Sequence, residues 1–154
     1  MKTVHLECLP DECLAKTLGL PRRSVVHHND KGRVCNHLKE NYDQLGMVDE
    51  DPGSAQPTYL KTLSKETDNH HIRVLVDPKR NNKLIVICPR LEEWILYICR
   101  SNNVDIVQYK LNDKPTQLHR EITQKLPEFK NLLKHLLEEK KALQLLYLQD
   151  LLKS

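Results

Sequence analysis

Asp49 and Asp51 stand two residues apart where an apolar run, Met47-Val48, gives way to the turn residues Pro52 and Gly53. Another acid, Glu7, closes a shorter apolar run, Val4-His5-Leu6. Carboxylates at the ends of buried strands are costly unless they are paired, hydrogen-bonded or bound to a cation. Two of them at i and i+2 around a strand end can face one way once the chain turns, and a third from a neighbouring strand completes a shell with water positions left open. Such oxygen donors suit Mg²⁺ or Mn²⁺; Mg²⁺ in particular takes few protein carboxylates and fills its shell with water and substrate phosphate oxygens. A cation held this way orients a water, lowers its pKa and stabilises charge on a phosphoryl group. An Asp-x-Asp alone also occurs as an ordinary acidic turn, so the three acids make a site only if the fold gathers them.

Softer ligands point nowhere so definite. The five cysteines, Cys8, Cys13, Cys35, Cys88 and Cys99, are odd in number and contain no C-x-x-C pair. A disulfide framework and a structural zinc site are therefore not expected, and reduced thiols in a cytoplasm are. The eight histidines include two adjacent pairs, His27-His28 and His70-His71. Neighbours on a strand point to opposite faces, so neither pair is a natural chelate.

The elements that must position the acids alternate strand and helix. Residues 3–7 read as a strand, and Pro10-Asp11-Glu12 opens a helix to about Leu18, with Gly19 as its stop. Residues 24–28 read as a second strand, followed by a turn in which Asn29 or Asp30 caps a helix over 32–41. Residues 44–48 form a third strand that ends at the acidic turn. This β-α-β-α-β order predicts a mostly parallel sheet, and in such sheets functional groups gather at the carboxyl ends of strands, where Glu7, Asp49 and Asp51 all fall. Residues 51–61 make a loop long enough to touch substrate. Residues 72–76 and 83–88 read as strands joined by the hairpin loop 77–82, Pro89 opens a helix to Arg100, and 104–109 reads as a short final strand. Further on, 115–126 has a helical pattern, and one unbroken helix is expected over 127–152, roughly 40 Å long at about 1.5 Å per residue. The whole is an α/β fold with flanking helices: a metal-binding domain at 1–110 and a C-terminal helical extension at 111–154, packed on the domain or on a partner subunit.

The 154 residues suffice for a real core, and 39% hydrophobic with 29% charged residues suits a globular chain. A net charge of +3 does not mark a nucleic-acid binder, so local clusters must do so if anything does. No signal-like segment opens the chain and no run reaches membrane-spanning length, so a cytoplasmic protein without a membrane partner is expected. Lys31 and Arg33 flank Gly32 at a helix start, where backbone N–H groups hold a phosphate or merely a solvated turn. Lys61 either neutralises a phosphate or is a surface lysine. Lys79, Arg80 and Lys83 form a basic hairpin that contacts a nucleic-acid backbone or guards a sheet edge. Arg90 is a phosphate contact or the ion-pair partner of Glu92, Glu93 is expected to be exposed, and Trp94 is expected to be a core anchor.

Several of these stretches together resemble the toprim domain, the fold shared by topoisomerases, primases and the overcoming-lysogenization-defect nucleases. Glu7 corresponds to the glutamate after the first strand and Asp49-Glu50-Asp51 to the later Asp-x-Asp. Leu6-Glu7-Cys8-Leu9-Pro10-Asp11 resembles a Val-Glu-Gly-x-x-Asp motif, with Asp11 at the matching spacing and Cys8 in place of the usual glycine. Lys31-Gly32-Arg33-Val34 and Cys88-Pro89-Arg90-Leu91-Glu92-Glu93-Trp94 resemble motifs of small stand-alone bacterial toprim-like proteins. The resemblance covers about residues 3–100. It implies Mg²⁺ or Mn²⁺ held by Asp49 and Asp51, Glu7 as ligand or general acid-base residue, Asp11 in support, and Glu92 as a further acid. The implied activity is metal-dependent hydrolysis of DNA or RNA phosphodiesters, in the effector subunit of a prokaryotic defence or toxin-like complex. The alternatives are a non-catalytic toprim-like interaction subunit and a metal-dependent nucleotide phosphohydrolase.

Overall fold

Val4, His5 and Leu6 are buried in a row, which marks a strand covered on both faces. A computed structural model describes residues 2–154 and places this strand, β1 (Val4–Leu6), inside a six-stranded sheet. The chain continues through α1 (Leu9–Thr17), β2 (Val25–His27), α2 (Lys31–Glu40) and β3 (Leu45–Asp49), then β4 (Ser64–Asn69), β5 (Ile72–Asp77) and β6 (Asn82–Ile87). Helices α3 (Leu91–Ser101), α4 (Pro115–Glu121), α5 (Leu126–Lys134) and α6 (Leu143–Lys153) complete it. Strand order is β2-β1-β3-β6-β5-β4; the first four run parallel and β5 and β4 add antiparallel pairs. The fold is thus α/β with a mostly parallel sheet and a helical C-terminal part, as the alternation predicts.

Period-two alternation sorts the strand side chains between two cores. Met47, Ile85 and Ile87 face one cluster with α1, α3 and the C-terminal helices, while Val48, Leu84 and Val86 face another with Val34, Cys35 and Leu38 of α2. Gly46 lets α2 lie close: a Cβ there would meet Leu84 Cδ1 and Val34 Cγ1 at 3.0 Å and Leu38 Cδ1 at 3.3 Å. Because α1 leads from β1 to one side and β3 leads to the other, the chain diverges at the carboxyl ends of β1 and β3. A crevice opens at such a point.

Four expectations need correction. Residues 104–109 are no strand: Ile106–Tyr109 form a 3-10 turn, whose Val107 N–H donates to Asp105 Oδ1 at 3.0 Å. The long helix over 127–152 is broken. A π-turn at His135–Glu139 follows α5, Lys141 takes a left-handed φ of 50°, and Ala142 N–H reaches back to Leu136 O at 2.9 Å. The fold-back turns Leu145, Leu148 and Leu152 into the cluster that holds Leu14 and Trp94, so the C-terminal helices belong to the domain's own core. Ser64–Asn69 is a strand that sequence reading passes over, and it is the polar edge of the sheet. His70 and His71, with φ of 55° and 59°, sit in the hairpin turn between β4 and β5 and not on a strand.

Trp94 is the anchor expected of it, 1% exposed with Nε1 donating to His70 O at 2.9 Å. All five cysteines are free thiols. Among the described residues no helix is long and apolar enough to cross a membrane.

Candidate active site

β1 pairs with β3 only as far as Leu6 and Met47, so the Asp49 N–H on that side of β3 has no strand partner. Glu7 supplies one: its Oε1 accepts from Asp49 N at 2.7 Å. The side chain that ends β1 thereby crosses to the end of β3. Asp11 occupies the first turn of α1, and its carboxyl group turns inward to 1% exposure. Glu92, in the first turn of α3, is also buried, and its Oε1 lies 2.6 Å from His119 Nδ1 on α4. Glu7, Asp49, Asp51 and Glu92 line one half-enclosed cavity of about 1130 Å³, whose rim includes Lys31, Gly32, Arg90 and the loop residues 54–58. Asp11 lies behind its wall.

Three buried carboxylate oxygens, Asp11 Oδ1, Asp11 Oδ2 and Asp49 Oδ1, have no hydrogen-bond partner. The Cys8 thiol and backbone N–H lie near enough to Asp11 to favour its charge in part, without an aligned bond. Burial first, then the Glu7 charge, holds the Asp11 carboxyl well above the usual range. Burial, then Asp11 and Glu7, does the same to Asp49, against the pull of the Leu91 N–H at the start of α3. Burial raises Glu7 as well, while the Asp49 N–H and Lys31 oppose it. Burial and the Asp11 charge push the Cys8 thiol up, so this cysteine is no thiolate nucleophile. Buried acids with raised pKa values at a strand-end crevice are the pattern of a functional site.

The other predicted residues divide. Asp51 lines the cavity, but its backbone has a left-handed φ of 46° and Arg90 Nε holds its Oδ1 at 3.0 Å. Arg90 Nη1 also donates to Glu93 Oε1 at 3.0 Å, so the guanidinium pairs with Asp51 and Glu93 and not with Glu92. Glu93 is accordingly half-buried and not exposed. Lys31 Nζ donates to Glu50 O at 2.7 Å and to Gln56 Oε1 at 2.6 Å, which ties the loop after β3 to the start of α2. Arg33 is exposed beside Asp30, and Lys61 is exposed and off the cavity. In the basic hairpin, Arg80 pairs with Asp77 at 3.1 Å and Lys83 with Glu66 at 3.5 Å.

Among the described residues, one group of three ligand-bearing side chains has donor atoms all within 4.8 Å of one another, and it is His5, His28 and His37. Glu7, Asp49 and Asp51 share a cavity without closing to that degree. Their chemistry still fits a hard cation, because the donors are all oxygens and buried ones among them are unpartnered. The histidines lie on the α2 side of β1. Burial, followed by the charges of His37 and His28, lowers His5 to about 4, and burial lowers His28. Sequence reading missed this group because it weighed adjacent histidines; the separation of 23 positions from His5 to His28 is closed by β1–β2 pairing. His119 was also missed, since no motif surrounds it.

No protein-family model, no curated protein and no solved structure matches the chain.

Proposed function

We propose that the cavity is a Mg²⁺- or Mn²⁺-dependent phosphodiesterase site acting on nucleic acid, the activity implied by the resemblance to toprim nucleases. The observation that carries this reading is the set of buried, partly unpartnered carboxylate oxygens of Asp11 and Asp49 beside Glu7 at the carboxyl ends of β1 and β3. Buried polar oxygens are nearly always satisfied, and a bound cation or a catalytic role is a recognised reason for those that are not. Asp49 would hold the cation, with Glu7 kept for proton transfer beside it and Asp11 behind the cavity wall. When bound, the cation supplies an activated water and neutralises charge on the phosphoryl group.

The chain's own residues do the rest. Glu7 Oε1 is fixed by the Asp49 N–H, which leaves Oε2 to take a proton from an attacking water or return one to the leaving oxygen. Lys31 and Arg90 present cations at the cavity rim, where phosphate oxygens approach. At about 1130 Å³ the cavity lies at the upper end of ligand-site sizes and has room for a nucleotide or for a segment of polymer.

One observation favours a second reading. The Asp51–Arg90 pair withdraws a predicted ligand, as expected of a non-catalytic interaction subunit that keeps only a bound cation. A cleavage panel over DNA, RNA and nucleotides, with and without divalent metal and with Asp49→Ala as control, separates the readings. Metal-dependent cleavage of polymers that disappears in Asp49→Ala supports the nuclease. Metal binding without turnover selects the interaction subunit, and cleavage of nucleotides alone selects the phosphohydrolase.

A further inference from the structure

His5 on β1, His28 just after β2 and His37 on α2 bring three imidazoles together from three elements, and Gln44 before β3 adjoins them. His5 and His37 stack with ring centroids 3.9 Å apart. The hydrogen bonds fix which nitrogens carry protons. Gln44 Nε2 donates to Tyr42 O at 2.8 Å, so the amide oxygen Oε1 faces the histidines. That one oxygen lies 2.9 Å from His5 Nε2 and 3.1 Å from His37 Nε2. An amide oxygen only accepts, so both rings carry a proton at Nε2, and in its neutral form each has its lone pair at Nδ1. His5 Nδ1 in turn faces His28 Nε2 at 2.8 Å, where one proton is shared between two nitrogens.

We propose that His5, His28 and His37 form a second metal site, selective for a borderline transition-metal ion of the Zn²⁺ class and distinct from the carboxylate cavity. Three imidazoles without a carboxylate favour Zn²⁺, Co²⁺ or Ni²⁺ over Mg²⁺. Ligation needs His28 in its other neutral tautomer: the proton leaves Nε2, solvent supplies one to Nδ1 of this partly exposed ring, and the cation takes the place between His5 Nδ1 and His28 Nε2. Tetrahedral Zn–N bonds of about 2.0–2.1 Å set nitrogens roughly 3.3 Å apart, so the pair opens by about half an ångström. One ring nitrogen of His37 lies within 4.8 Å of the other two and would move in by up to about 1.5 Å to join them. Gln44 Oε1, accepting from the far nitrogens of two ligand rings, is the orienting partner that metal-bound histidines usually have. The ion would clamp β1, β2 and α2 together with one coordination position left for water.

The experiment is a titration of the untagged, chelator-treated full chain with Zn²⁺, Co²⁺ and Mg²⁺, read by calorimetry and by the visible absorption of Co²⁺. The expected result is one equivalent of Zn²⁺ or Co²⁺ per chain at a site that Mg²⁺ does not displace, with the intense visible bands of low-coordinate Co²⁺. His37→Ala and His28→Gln, each at a partly exposed position, should abolish those bands while circular dichroism shows the fold intact. Gln44→Ala should weaken Zn²⁺ at least about tenfold. Asp49→Asn should leave the Co²⁺ visible bands of the histidine site unchanged. Absence of a one-equivalent Zn²⁺ or Co²⁺ event in the folded chain, its survival in both histidine variants, or loss of the Co²⁺ bands in Asp49→Asn would each overturn the proposal.

Discussion

Asp11→Asn should make the cation-free protein more stable while lowering its affinity for Mg²⁺. Asp11 is 1% exposed and neither carboxylate oxygen has a hydrogen-bond partner. A buried unsatisfied group costs about 1–3 kcal/mol, and more when charged. Asparagine keeps one acceptor, removes the charge and adds an N–H₂ whose neighbours Glu7 and Glu92 are acceptors. Relief of one such oxygen is worth about 2 kcal/mol, which for a domain of this size raises Tm by roughly 4–8 °C. The sign with pH follows from the raised folded-state pKa. The folded protein retains a proton that the unfolded chain releases above its ordinary aspartate pKa, so the contribution to stability is full in acid and falls as pH rises towards the folded value. The advantage of asparagine should therefore be larger at pH 8 than at pH 5. Thermal unfolding followed by circular dichroism in chelator, at both pH values, measures it. Added Mg²⁺ should narrow the gap by stabilising the wild-type chain alone. An Asp11→Asn protein that melts below wild type at pH 8 in chelator would refute the idea that this unpartnered carboxylate destabilises the cation-free fold.

Arg90→Gln should release Asp51 into the cavity; calorimetry should show tighter Mg²⁺ binding, and a filter-binding assay weaker retention of nucleic acid. Asp77→Ala removes a buried acceptor that takes the Tyr59 hydroxyl at 2.9 Å, the Lys79 and Arg80 N–H groups at 3.1 and 3.3 Å, and the Arg80 guanidinium at 3.1 Å. Urea unfolding should show a loss of about 2–4 kcal/mol. Gly46→Ala crowds the Leu84, Val34 and Leu38 methyls by a few tenths of an ångström and should cost about 1–3 kcal/mol in the same assay. Removing residues 143–154 uncovers the main core, and the truncated chain should bind a hydrophobic dye and lose its cooperative transition.

What the sequence discloses follows from where burial leaves a mark. β1, β3 and β6 are covered on both faces and read as apolar runs; β4 has no face to bury, so Ser-Lys-Glu-Thr-Asp-Asn carries no strand signal and its charges suit an unpaired edge. The end of α5 is illegible for a different reason. Glu138-Glu139-Lys140-Lys141 is compatible with helix, and the break is imposed by the core that Leu145 and Leu148 must reach. At the site, the types and strand-end positions of Glu7 and Asp49 are readable. The turning of Asp51 towards Arg90 depends on one left-handed φ that an Asp does not announce. The histidine group depends on strand register and helix placement together, neither of which leaves a local motif.

Lys31 spends two of its three donors on the loop after β3, at 2.7 and 2.6 Å. A free lysine gives up nearly 2 kcal/mol of rotamer entropy when a ligand immobilises it. Here folding has already met that cost, so an anion arriving at the cavity mouth finds one N–H still available on an ammonium whose position is set. The loop is then less a cover for the cavity than a splint for its cation, and loosening Gln56 should slow capture of phosphate before it alters any bond to phosphorus.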